Sequence, residues 1–339
     1  MLNEVKSRSS SGDKPKLALY WASSCGGCEI TVVDIEEKIL DVAAFFDIVF
    51  WPCIMDFKYD DIEAIEDGAI DITLFNGAIR TDENEYMAKL LRRKSRILIA
   101  FGSCASEGCI PGLANFFDKE SILNYVYRDS ISLEESSRGT FPVCKTKMPE
   151  GEISIPGFWN TVHTLDQIVD VDYYIPGCPP QSFQVAAVIF AVMDILKNGK
   201  ELPPKGTVLG ADSKTCCDEC TRERKEKKIK EFFRPHEIIP KDNECLLDQG
   251  ILCMGPATRS GCGALCLIAN VPCRGCYGAP ANVKDQGSKM ISALSSVIDA
   301  TTPEEVQIII NKIADPLGSL YRFSLAGSTF KRVQNLTEK

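Results

Sequence analysis

Histidine is almost missing from this 339-residue chain, which holds only His163 and His236. That scarcity removes most of the material for imidazole acid–base catalysis and for zinc sites that mix His with Cys. His236, beside Pro235, reads as structural, and His163 as an ordinary core or surface histidine. No apolar run approaches the length that crosses a bilayer. Met1 to Lys16 is polar and Ser-rich, without an apolar signal core or a twin-arginine pair, which predicts a cytoplasmic protein. No phosphate loop or hydrolytic triad stands out, and Ser23-Ser24-Cys25-Gly26-Gly27 does not meet the GxGxxG pattern of dinucleotide sites. Positive charge is also in deficit, with 38 Lys and Arg against 47 Asp and Glu. A net charge of −9 repels phosphate backbones and argues against nucleic acid as a partner.

Cysteine, by contrast, is abundant: there are 16. A long chain without an export signal belongs in a reducing compartment, where that many thiols are metal ligands rather than disulfides. All-thiolate ligation suits cubane iron–sulfur clusters, and the lack of histidine tilts the choice from zinc towards iron. With 45% hydrophobic residues the chain can bury a substantial core, enough for two domains.

The first two hundred residues alternate short apolar runs with helical patterns. Strands are predicted at Leu17–Trp21, Ile48–Trp51, Ile70–Phe75, Ile97–Phe101 and Tyr173–Ile175, and helices at Glu29–Ala44, Glu83–Arg93 and Gln181–Asn198. This alternation predicts an α/β fold, an open and mostly parallel sheet with helices on both faces, over residues 15–200. Lys119 to Val171 is a weakly patterned insertion, and Glu201–Thr215, with Pro203-Pro204, reads as a linker. Residues 201–339 form the second expected domain, irregular and cysteine-rich, with nine cysteines between Cys216 and Cys276. Its apolar pattern is too thin to fold by packing alone, so metal is expected to organise it. Thr302-Pro303-Glu304-Glu305 is a capping box opening a helix to about Ala314. Arg222–Glu231 carries i,i+4 pairs, Glu223/Lys227 and Glu226/Lys230, that favour an exposed helix, either a solvated face or a docking surface.

Three cysteine-bearing loops follow predicted strands: Cys25-Gly26-Gly27-Cys28, Gly102-Ser103-Cys104 and Pro176-Gly177-Cys178-Pro179-Pro180. Loops at the carboxyl ends of a doubly wound sheet converge on one crevice, so four thiolates distant in sequence meet there. The glycines admit a bulky cluster close to the backbone, Gly77 keeps the third strand's end open, and the helix N-termini after two of these loops favour its negative charge. A lone CxxC is as often a zinc or redox motif, and one cysteine after a strand is often mere packing. Three together are harder to explain that way.

Ser24-Cys25-Gly26-Gly27-Cys28-Glu29, Phe101-Gly102-Ser103-Cys104-Ala105 and Gly177-Cys178-Pro179-Pro180 resemble the proximal-cluster motifs of NiFe hydrogenase small subunits, and the likeness extends over nearly the whole chain. Cys109-Ile110-Pro111-Gly112-Leu113-Ala114-Asn115 is similar to the cytoplasmic archaeal branch, notably the viologen-reducing hydrogenase that feeds heterodisulfide reductase in methanogens. The resemblance implies a flavodoxin-like first domain and three 4Fe-4S clusters. It also implies a large subunit carrying the NiFe centre, and a downstream iron–sulfur delta subunit linked to heterodisulfide reductase. Proximal ligands become Cys25, Cys28, Cys104 and Cys178; distal ligands Cys217, Cys220, Cys245 and Cys253; medial ligands Cys262, Cys266, Cys273 and Cys276. Relative to periplasmic members, Cys217 replaces a histidine and Cys266 completes a four-thiolate medial site. Cys216 competes with Cys217 as a ligand, and Asp56 or Cys53 reaches for the proximal crevice, with Asp56 read as a neighbour of the ligands. Cys53, Cys109, Cys144 and Cys216 remain as packing or supporting thiols. The competing readings are the gamma subunit of a deazaflavin-coenzyme-reducing hydrogenase, the cluster subunit of a membrane hydrogenase or respiratory complex I, and a zinc-stabilised module without redox activity.

Overall fold

The computed structural model describes residues 14–225 and 228–332. Its centre is a five-stranded parallel sheet built from β1 (Lys16–Trp21), β2 (Asp47–Phe50), β3 (Ile70–Asn76), β5 (Ser95–Phe101) and β9 (Tyr173–Ile175). They lie in the order β2-β1-β3-β5-β9, the 2-1-3-4-5 arrangement of the flavodoxin-like fold. All five predicted strands are present within one or two residues of their expected limits.

Side chains on successive strand residues point to opposite faces, and the core divides accordingly. Leu17 and Leu19 of β1, Leu74 of β3 and Ile99 of β5 pack with Val32 of α1 (Gly27–Val33), Val42 of α2 (Lys38–Phe45) and Val185 and Ile189 of the long helix at Ser182–Asn198. Ala18, Tyr20, Phe75, Leu98 and Ala100 pack on the other face with Met87, Leu90 and Leu91 of α3 (Asp82–Lys94). Thr81 caps α3, accepting from Asn84 N–H at 3.2 Å; acidic residues fill its first turn and basic residues its last, matching the helix dipole. The helix expected over Glu29–Ala44 is two helices. The β-branched run Thr31-Val32-Val33 ends the first, and Glu36 then turns at φ 60°.

The weakly patterned insertion holds an exposed hairpin, β6 (Lys145–Met148) with β7 (Gly151–Ser154). It then runs into β8 (Phe158–His163), antiparallel to the short β4 (Ile79–Thr81). His163 lies on β8, hydrogen-bonded to Gln167, and His236 is exposed in a turn. Residues 201–215 are not a free tether. They run along the edge of the sheet, with Val208 bridging Tyr174, Leu209 N–H donating to the Tyr174 carbonyl at 2.7 Å, and Leu202 and Leu209 on the core. Among the described residues of 222–231 no helix forms: Glu223 and Ile229 make isolated bridges to Glu244 and Ile298. Glu226 and Lys227, one from each supposed ion pair, lie outside the described residues.

The cysteine-rich half has more apolar core than its sequence suggests. Phe232, Leu246, Leu247, Ile251, Met254, Leu267, Leu294 and Leu320 cluster together, and Cys216, Cys253 and Cys273 are among the buried members. The capping box forms as expected and opens a helix at Pro303–Ile310.

Asp172 ties the edge strand β9 to its surroundings. Its carboxylate accepts from Leu98 N–H at 2.9 Å and Arg92 at 2.6 Å, and pairs with Lys205 at 2.5 Å. Burial acts to raise its pKa, but these donors win and hold it below the ordinary carboxylate value. A depressed folded pKa contributes stability above the unfolded value near 3.9, lost as pH falls through the lower folded one. Asp172→Asn is therefore expected to cost about 2 kcal/mol in urea unfolding, a difference that stays constant between about pH 6 and 8 because both pKa values lie below that window.

Candidate metal centres

The carboxyl ends of four strands are level. Trp21 pairs with Asn76, Asn76 with Phe101, and Phe101 with Ile175. The loops that follow therefore leave the sheet side by side, and they bring Cys25, Cys28, Cys104 and Cys178 into one crevice. Cys28 starts α1 and Cys104 lies in α4 (Ser103–Glu107). Cys25 is exposed and accepts from Gly27 N–H at 3.4 Å; Cys28 and Cys104 are buried. Gly102 is required here. Its φ is +80°, and a Cβ on it would lie 2.3 Å from Cys28 Sγ. Gly77 serves differently from the sequence expectation: its bare Cα lets the chain approach Ala22 and Ser23 rather than leaving space for a ligand.

Burial pushes the Cys28 thiol up, and the negative potentials of Cys104, Cys178, Glu29 and Cys25 push it further. Four thiolates could share this crevice only with cationic charge placed among them, since the largest influences on Cys28 all raise its value. Glu29, also buried, accepts from Trp51 Nε1, and burial raises its pKa. Asp56 does not approach the crevice: it is 87% exposed and paired with Lys58. Cys53 is exposed too, but it stays within electrostatic reach of Glu29, so only the expectation for Asp56 is corrected.

The second group lies against the first. Cys262, Cys266, Cys273 and Cys276 are mutual electrostatic neighbours; after burial, Cys276 is raised by Cys273, Cys262, Cys178 and Cys266. Cys178 thus joins the first group to the second. Ser103 fixes the junction, its hydroxyl donating to the Cys276 carbonyl while accepting from Gly177 N–H at 3.1 Å. Tyr277 extends the clamp, donating to Gln184 at 2.6 Å.

Cys217, Cys220, Cys245 and Cys253 make the third group. Burial pushes Cys217 up to about 12, opposed by Arg224 and reinforced by Cys245, Cys220 and Cys273. Gly255 leaves room between two of these sulfurs, since its Cβ would lie 2.9 Å from Cys217 Sγ and 3.6 Å from Cys253 Sγ. The Arg274 guanidinium is within electrostatic reach of Cys253, Cys273 and Cys266, a countercharge between the second and third groups.

The tandem Cys216-Cys217 divides between two groups. Cys217 faces Cys245 and Cys220, whereas the buried Cys216 sulfur lies within 4.8 Å of the Cys262 sulfur and in electrostatic reach of Cys273. Cys109 is placed likewise at the first group, in electrostatic reach of Cys104 and Cys178. Sequence reasoning treated Cys109 and Cys216 as packing or supporting thiols without a defined partner, and gave Ser103 no role. The tandem was the one visible signal, because adjacent residues rarely face the same way. All 16 cysteines are free thiols, and the twelve expected ligands lie within electrostatic reach of one another in neighbouring groups, a donor chemistry that fits all-thiolate clusters; Cys216, Glu219 and Cys262 also bring a donor atom each within 4.8 Å of one another.

Residues 25–192 match the family described as NADH ubiquinone oxidoreductase, 20 Kd subunit. The chain is 39% identical to the iron-sulfur subunit of the F420-non-reducing hydrogenase of Archaeoglobus profundus, over 94% of this chain and 98% of that one. It is 37% identical to the corresponding F420-non-reducing hydrogenase subunit of Methanothermobacter marburgensis, covering 92% and 95% of the two. With its vhu counterpart in Methanocaldococcus jannaschii it shares 36% identity over 94% and 97%. These full-length relatives include the cysteine-rich half that the family match leaves out. The chain belongs to the iron–sulfur small-subunit family of F420-non-reducing NiFe hydrogenases, and is a subunit of an oxidoreductase.

Proposed function

We propose that this chain carries electrons from H2, oxidised in a NiFe-bearing large subunit, through three 4Fe-4S clusters to a downstream iron–sulfur delta subunit and on to heterodisulfide reductase in the cytoplasm. The observation that carries the reading is the series of three thiol groups, each with a member in electrostatic reach of the next: Cys178 with Cys276, and Cys273 with Cys253 and Cys217. When bound, the clusters supply one-electron redox steps. Cys25, Cys28, Cys104 and Cys178 would hold the first, Cys262, Cys266, Cys273 and Cys276 the middle one, and Cys217, Cys220, Cys245 and Cys253 the last.

The protein's own work is to position and shield. Gly102 and Gly255 leave space beside the sulfurs, Ser103 and Tyr277 clamp the middle loop to the first, and Arg274 offsets negative charge near the second junction. The surface around the first group supports docking of a large subunit there. Cys25 is exposed, and Trp21, Ile30, Val33, Ile54, Met55 and Phe183, on the strand-end loops and the helices they open, are exposed apolar residues.

Anaerobic iron and sulfide analysis of the complex, with electron paramagnetic resonance, should find about twelve irons per chain, four for each four-thiolate site; a colourless zinc protein would overturn the reading. Gly102→Ala should lower the iron content to about eight and remove only the first cluster's signal, since its methyl group would occupy the Cys28 sulfur position. Ile54→Asp should weaken co-purification with the large subunit while leaving cluster content intact, because it places a charge in an apolar contact.

A further inference from the structure

Arg80 is buried without a counter-charge. It is 4% exposed, and its Nε, Nη1 and Nη2 atoms have no hydrogen-bond acceptor among the described residues. Burial and the positive charge of Arg332 lower its pKa to about 10, which leaves it cationic at neutral pH. An unpaired charge in a dry interior is costly, because nothing replaces the water it gives up. The Phe158 ring, its centroid 4.2 Å from Cζ, covers one face of the guanidinium. The N–H groups point outward in the guanidinium plane, so stacking on a face leaves them unanswered.

The acids next to it in the chain are committed elsewhere. Asp82 accepts from Glu83 N–H at 2.8 Å and from Gly157 N–H at 2.9 Å, and Glu83 accepts from the Tyr59 hydroxyl at 3.1 Å. Arg332, half-buried, donates to the Thr161 hydroxyl at 3.3 Å. The backbone is irregular here as well. Ile79 of β4 pairs with His163 of β8, but Thr81 pairs with Phe158, so β8 carries surplus residues opposite Arg80. A bulge of this kind bends a strand away from its partner and re-aims side chains. The Arg80 N–H donates to Asn84 Oδ1 at 3.2 Å.

We propose that Arg80 and Arg332, with Phe158 as the outer wall, form a binding site for a free oxyanion of the phosphate or sulfate class. Both guanidinium groups offer forked N–H donors that match pairs of oxygens on a tetrahedral anion. Two neighbouring positive charges favour a doubly charged ion over chloride. Phe158 is 39% exposed, so its ring is the surface element whose rotation admits the ion. Arg80 comes from β4 of the sheet domain, and Arg332 is the last described residue. An ion between them ties these distant stretches together beside β8, and its binding stabilises the folded protein.

The test is isothermal titration of the assembled complex, exchanged into chloride, with sodium phosphate and then sodium sulfate at constant ionic strength. Ion chromatography of anions released on denaturation accompanies it. Wild type should bind phosphate saturably at one site per chain, or release a co-purified oxyanion that Arg80→Met does not hold. Arg80→Met and Arg332→Met should each weaken binding by about tenfold or more, the loss of charged hydrogen bonds. Phosphate should raise the Tm of wild type and leave that of Arg80→Met unmoved. Phe158→Ala, which opens the wall, should still bind. Should Arg80→Met fail to assemble, Arg332→Met decides, and an unchanged affinity there overturns the proposal. Absence of saturable binding in both wild type and Phe158→Ala, with no co-purified oxyanion, overturns it as well. That outcome includes the case in which a carboxylate of a docked subunit already sits on Arg80.

Discussion

Crowding of sulfur is the constraint on which the rest of this structure depends. Twelve thiols are gathered in three groups, most of them partly or wholly out of water, and each raises the cost of ionising its neighbours. Left alone, such groups would stay protonated and have no reason to converge. Their convergence is instead imposed by the sheet, whose level strand ends deliver the first group, and by an apolar cluster in the second half that takes Cys216, Cys253 and Cys273 into its interior. The fold spends packing energy to hold a donor set that only a multiply charged metal centre makes favourable.

The parts of this arrangement that follow local rules are legible in the sequence. Short apolar runs mark β1, β3 and β5, and the thiols that follow β1, β5 and β9 are where the topology requires them. The capping box at Thr302 is equally plain, since its chemistry is confined to four consecutive residues. Long-range geometry is not legible in this way. The charged run over 222–231 has helical ion-pair spacing, but Glu223 and Ile229 on its described parts bridge to Glu244 and Ile298, because tertiary pairing outweighs a few tenths of a kcal/mol from each pair. Asp56 follows β2 and looks able to turn inward, yet Lys58 two residues on keeps it at the surface.

The second half shows the same limit more strongly. Its apolar residues are scattered without period, so the sequence suggests a loop-rich segment dependent on metal, while the structure assembles Phe232, Leu246, Ile251, Leu294 and Leu320 from distant stretches into a common core. Spacing alone also cannot decide which way a tandem pair points. Only the Cys216 amide bound to the Thr258 carbonyl fixes that choice, and Thr258 is 42 positions away in sequence.

The Cys216-Cys217 tandem has a mechanical consequence. One peptide unit sets a sulfur against each of two neighbouring thiol groups, with Cα atoms about 3.8 Å apart. The offset between those groups is therefore limited by bond lengths rather than by how tightly two lobes happen to close. Inserting even a single residue there would rotate one sulfur out of register, so this dipeptide acts as the gauge block between the two thiol groups of the second half.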